Sequence, residues 1–247
     1  MICTWCPRAT RPAASRSANR AAPFLKKYTG LTQVHAVSCG IDADNYEPNF
    51  EPRSENRILF VGRVTGEKQI DVLLQAVALL SPKLAVKVEI VGGGDQKRNL
   101  EHLAETLGIG DRVTFTGYVT DAELRAAYSR STVFAMPSVA ELQSIATMEA
   151  MASGLPVVAA NAMALPHLVH DGQNGYLFVP GNAQDLADKL TQVLTAAPER
   201  LTAMKRESLK LIATHDIKRT LNTFECLYRG EPVNDMITDD ASTNFTD

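Results

Sequence analysis

Two glutamates, Glu141 and Glu149, stand with seven residues between them in the stretch PSVAELQSIATMEAMASGLPVV, 137–158. The second lies in a run of strong helix formers, 146–152, that stops at Ser153-Gly154 and passes through Pro156 into an apolar segment. Eight positions of continuous helix would set the acids about 12 Å apart. The amides of Ser144, Ile145 and Ala146 fall between them, at the positive end of the helix where phosphates bind. The Ser144 hydroxyl is expected to cap that end by accepting from a first-turn amide. Such a layout suits a ligand with hydroxyls at both ends and negative charge in the middle. A second group fits the same ligand. Arg63 and Lys68 follow the apolar run 58–61 in a loop that contains Gly62 and Gly66. Two fixed cations there stabilise a departing group that gains negative charge more than they stabilise the bound substrate, which lowers the barrier.

The elements that must position these residues are legible as an alternation. Apolar runs at 58–61, 86–91, 113–116, 132–136, 156–159 and 176–179 predict strands. Several are continuous rather than alternating, as expected where both faces of a parallel sheet are covered. Helical periodicity marks 69–80, 96–107, 121–128, 145–152, 183–196 and 199–212, with a last amphipathic helix at 216–229. Strand and helix in turn, with short loops, predict a doubly wound α/β domain that binds ligands at the carboxyl ends of its strands.

With the order of motifs in view, the stretch resembles the E-x7-E signature of retaining glycosyltransferases with the GT-B fold, in the large family 4 group. That family's text runs roughly E-G-F-G-x-x-x-x-E-A-M-A-x-G-x-P-V-V. This chain keeps both acids and the EAMASGLPVV tail, with Leu142, Gln143 and Ser144 in place of Gly-Phe-Gly. Three further pieces fall in the family's order. HAVSCGID (35–42) is similar to the link between the two domains, and ILFVGRVTGEK (58–68) to the first strand and phosphate loop of the donor domain. VTFTGYV (113–119) is similar to the strand edge that meets the nucleobase. The resemblance covers residues 25–230.

What the resemblance implies is specific. The donor would be a nucleotide-diphosphate sugar and the acceptor a lipid or saccharide hydroxyl, with transfer of a hexose, retention of configuration, and no metal or other cofactor. Arg63 and Lys68, in the loop opened by Gly62, would contact the diphosphate. Glu141 would meet the sugar hydroxyls and Glu149 the ribose. Gln143, Ser144 and Ile145 would offer backbone donors, and the main chain at Val119 would read the base. A Gln at the Phe position also occurs in relatives that act on lipid acceptors. Gly92, Gly93 and Gly94 would leave space for the donor.

Only about 50 residues precede the first donor-domain strand, so the fold expected is one Rossmann-like half, the N-terminal half being largely missing. The division expected is a basic stub at 1–50, a donor domain at 51–215, a helix crossing back at 216–230 and a disordered acidic tail at 231–247. A separate N-terminal half is then a candidate partner. Two other readings stay open: a truncated or split half that holds nucleotide sugar without turnover, and a GT-B-like epimerase or phosphorylase.

Composition sets limits. A chain of 247 residues with 45% hydrophobic content can bury a good core, and a net charge of −3 argues against a nucleic-acid protein. No run reaches 18 apolar residues, so nothing is expected to span a membrane. Six basic residues and no acid between Met1 and Ile41 allow peripheral membrane contact or a targeting segment, and the expected location is cytoplasmic. Cys3-Thr-Trp-Cys6 has metal-knuckle spacing but no second pair to complete a site. His102, His167, His170 and His215 show no ligand spacing and read as surface or helix-end residues.

Overall fold

The structure is a computed structural model and describes residues 13–14, 35–51 and 55–231. The Cys3–Cys6 pair, most of the basic start and the acidic tail lie outside those residues. The chain divides into two units, Ile41–Ala213 and a second made of Met1–Gly40 with Thr214–Asp247.

The larger unit carries a six-stranded parallel sheet. Its strands are β1 (Arg57–Val61), β2 (Lys87–Val91), β3 (Val113–Gly117), β4 (Val133–Met136), β5 (Val157–Ala160) and β6 (Gly175–Phe178). Between and after them run α1 (Ile70–Leu79), α2 (Lys97–Thr106), α3 (Asp121–Arg130), α4 (Ile145–Ala152), the short α5 (Leu165–Leu168), α6 (Ala183–Leu194) and α7 (Pro198–Ile212). The spatial order is β3-β2-β1-β4-β5-β6, the doubly wound arrangement. The order reverses between β1 and β4, and the crevice beyond their carboxyl ends is where such sheets take ligands. Both glutamates and both cations of the sequence analysis follow one of these two strands.

The centre of the sheet is dry. Ile58, Leu59 and Phe60 of β1, all of β4 and all of β5 are buried, so each strand needs apolar side chains on both faces. Helix α1 packs against α6, and α4 against α7. Every predicted strand and helix of this unit is present, with ends that move by one or two residues. The helix read at 183–196, for example, stops at Leu194. Among the described residues, no helix is long and apolar enough to cross a membrane.

The strand ends are bound to one another by backbone. Gly62 N–H donates to Val91 O (3.0 Å), Val64 N–H to Gly93 O (2.9 Å) and Gly92 N–H to Gly117 O (2.8 Å). This close approach accounts for the glycine run. A Cβ on Gly92, which has φ +127°, would stand 2.0 Å from Gly62 O, and one on Gly94 would stand 2.0 Å from Val64 O. Gly92→Ala is therefore expected to cost about 3 kcal/mol, through strain and a backbone clash together. A fall of about 6–12 °C in melting temperature is the corresponding readout.

In the smaller unit, strands Ala13–Ala14 and His35–Ala36 pair in parallel, and helix α8 spans Ile217–Arg229. His215, expected at the surface or at a helix end, does end a short 3-10 turn, Ala213–His215, but is buried there, with its Nδ1 2.8 Å from the Ser38 hydroxyl.

Candidate active site

The loop after β1 and the segment after β4 are joined by hydrogen bonds. Val139 N–H (3.1 Å) and the Ser138 hydroxyl (3.3 Å) both donate to Glu67 O. Across that seam Lys68 Nζ and Glu141 Oε1 form an ion pair. Both side chains are largely enclosed, with 12% and 9% exposure. Residues 73 positions apart thus become one charged unit at the reversal of strand order.

Arg63 differs. Its side chain is 75% exposed, and Nη2 lies 3.2 Å from Glu67 Oε1. The Thr65 hydroxyl donates to the same oxygen at 2.8 Å. That hydroxyl, then the residue's own amide, hold the Glu67 carboxyl below the usual carboxylate range, and the charges of Arg63 and Lys68 add to the effect. Arg63 can leave Glu67 for a better anion at little conformational cost, because an exposed pair of this kind is worth only about 0.2–1 kcal/mol.

Helix α4 begins at Ile145, so Glu141 sits in the loop before it and the acids are not on one continuous helix. Ser144 is the residue just before the first turn, but it does not cap. Its backbone is left-handed (φ 53°, ψ 68°), and its hydroxyl lies 2.7 Å from the Thr147 hydroxyl. A capping side chain needs an extended backbone at this position, from which its oxygen reaches the N2 or N3 amide. The left-handed turn that glycine adopts cheaply is thus kept by a serine, at a cost of about 1–2 kcal/mol. Ile145 at the start of this helix is 55% exposed, whereas Met148 and Met151 are buried. Gln143 is half-buried in the same turn. Val119 lies beyond β3, in the short link to α3, whose first turn is closed by a capping box between Thr120 and Glu123.

Glu149 is held from two sides. Oε1 accepts from the Tyr46 hydroxyl and Oε2 from the Tyr128 hydroxyl, both at 2.8 Å. Neither tyrosine stands out in the sequence. Tyr128 stood only as the last residue of a predicted helix, and Tyr46 lies 103 positions from the acid it touches. Burial first, and then the charge of Glu149, push both phenols above their ordinary range. Stability follows with a definite sign. Below the unfolded value of about 10 both phenols are protonated in either state and their contribution is complete. As pH rises beyond it, the unfolded chain ionises first, and stability falls toward the higher folded values. The melting temperature is expected to drop more steeply above pH ~10 in the wild type than in Tyr46→Phe or Tyr128→Phe. Equal slopes in all three would contradict the assignment.

Among the described residues, no three His, Cys, Asp or Glu side chains come close enough to hold a metal ion.

Comparison with known proteins identifies the family and the fold. The profile of the family described as glycosyl transferases group 1 matches residues 43–210. The sulfoquinovosyl transferase SQD2 of Arabidopsis thaliana is 32% identical over 180 residues, which are 67% of this chain and 34% of that protein. Sucrose-phosphate synthase of Thermosynechococcus elongatus superposes with a TM-score of 0.79 at 25% identity, over 89% of this chain and 58% of its own. Anabaena Alr3699/HepE, solved in complex with UDP, superposes with a TM-score of 0.78 at 21% identity, over 88% of this chain and 63% of its own; that is a likeness of fold. The chain spans between 34% and 52% of the length of the curated relatives it matches.

Proposed function

Since the chain belongs to the glycosyl transferases group 1 family, we propose that it binds a nucleotide-diphosphate sugar across the reversal of its sheet and serves transfer of the hexose, with retention, to a lipid or saccharide hydroxyl. The observation that carries this reading is the Lys68–Glu141 pair, a cation and an acid enclosed at the joined ends of β1 and β4. Lys68 and Arg63 take the diphosphate, with the amides of Ser144, Ile145 and Ala146 at the first turn of α4. Glu141 meets the sugar hydroxyls and Glu149 the ribose, while the main chain at Val119 and the loop at Gly62 border the base and phosphates. UDP, the ligand of the Anabaena protein with the same fold, is the first nucleotide to test.

The chemistry needs no metal in this scheme. The bond between the anomeric carbon and the diphosphate oxygen breaks, and a bond to the acceptor oxygen forms on the same face. The acceptor proton passes to the departing phosphate. Lys68 and Arg63 stabilise the negative charge that grows on that phosphate, the kind of contact whose removal costs about 10²–10³ in rate. Acceptor binding is assigned to an N-terminal half.

Calorimetric titration with UDP, ADP and GDP, followed by incubation with the matching donor sugars, tests the proposal. At least one nucleotide should bind, and transfer should appear or be restored when an N-terminal half is supplied. Absence of binding by all three would overturn it. Binding with no transfer under either condition would favour the alternative of a nucleotide-sugar-binding module.

A further inference from the structure

The tyrosine contacts of Glu149 have a geometry that packing alone does not require. An ionised carboxylate offers about four acceptor positions on two oxygens. Here one donor serves each oxygen, both at 2.8 Å, so rotation of the carboxyl group about its last bond would break both contacts together. One acceptor position per oxygen is left, and that pair matches two hydroxyls on neighbouring carbons.

Neither donor is free to swing. Tyr128 is fully buried, with its ring 6.0 Å from Phe134 and 6.0 Å from Tyr46 at a near-perpendicular angle of 79°. Its hydroxyl also lies 3.2 Å from Ala146 O in the first turn of α4, which ties its position to the helix that carries the acid. Tyr46 closes a 3-10 turn, Ala43–Asn45, by donating its N–H to Ala43 O at 3.1 Å. The segment beyond it is pinned in turn: Lys205, itself buried, donates to Asn49 O at 2.8 Å and lies over the Phe50 ring. Burial and the Glu149 charge keep both phenols protonated, so they remain donors.

Given Glu149 as the ribose acceptor, as proposed above, we infer that Tyr46 and Tyr128 are positioning residues that preset its carboxylate for a vicinal diol and so set the preference for ribose over deoxyribose. They touch no ligand themselves. Their effect comes from ordering Glu149 during folding rather than during binding, which is how preorganisation raises affinity.

The test is a comparison of two affinities in the full chain. The tightest-binding of UDP, ADP and GDP is titrated together with its 2′-deoxy counterpart, against wild type, Tyr46→Phe and Tyr128→Phe. Each substitution removes a hydroxyl and keeps the ring, and the half-buried Tyr46 supplies the readout if Tyr128→Phe folds poorly. The wild type should prefer the ribonucleotide about tenfold or more, as expected for a hydrogen bond to a charged group. In the variants that preference should shrink to about twofold, with affinity for the deoxynucleotide unchanged within about twofold. Equal losses for both ligands would show a merely structural role and overturn the inference. An unchanged preference would overturn it as well. A wild type that binds both nucleotides equally would remove Glu149 from the ribose, which is the failure of the earlier assignment and is distinguishable from the other two.

Discussion

Replacing Lys68 by alanine is expected to abolish measurable nucleotide binding and to destabilise the protein in the same step. The two effects have different causes. Glu141 has a side-chain exposure of 9%, and its Oε1 is paired with Lys68. Removing one partner of such a pair leaves a charge out of water without compensation, and the expected cost is about 3 kcal/mol. The binding loss comes from the missing cation opposite the diphosphate and is expected to be at least about thirtyfold. A double variant separates them: Lys68→Ala with Glu141→Gln should recover most of the melting temperature and none of the binding, because neighbours in one network do not add independently. Arg63→Ala is the control from the same loop. Its side chain is exposed and its partner Glu67 stays hydrated, so stability should hold within about 0.5 kcal/mol while nucleotide affinity falls. If Lys68→Ala and Arg63→Ala lowered stability alike, the enclosure of the Lys68–Glu141 pair would be the wrong explanation.

Glu149→Ala is expected to have the second largest effect. It strands two tyrosine hydroxyls, one of them on a fully buried ring, at a cost of about 1–3 kcal/mol for each donor left without its acceptor. Nucleotide affinity should fall at least about tenfold through the lost ribose contacts. Glu149→Gln keeps the volume and one carbonyl acceptor, and its amide can donate to a tyrosine oxygen. That variant should melt within about 1 kcal/mol of wild type yet still bind nucleotide about tenfold more weakly, because the second acceptor is gone. Wild-type affinity in Glu149→Gln would take the acid out of the site.

Much of the frame is legible in the residues because burial on both faces leaves a continuous apolar run. The segments 58–61 and 132–136 stand out as strands for that reason, and the loops that follow them carry the charged side chains. The spacing of Glu141 and Glu149 points to the right region for a similar reason, since it is local. What depends on contact through space does not show. Nothing near Lys68 announces that its partner is 73 residues away, and nothing near Glu149 announces Tyr46. Ser144 misleads in a different way. Its residue type suits a cap, but its left-handed backbone turns the hydroxyl to Thr147, and nothing in a serine's side chain announces a positive φ. Ile145 is a large apolar residue in a predicted helix, yet it faces outward on the first turn.

Amide hydrogen exchange of the full chain, with and without UDP, tests the central claim most directly. Bound diphosphate should slow exchange in the loop at 62–68 and at Ile145 and Ala146 together, and the protection should be lost in Arg63→Ala. Protection confined to other elements, with both of these stretches unchanged at saturating nucleotide, would contradict the site.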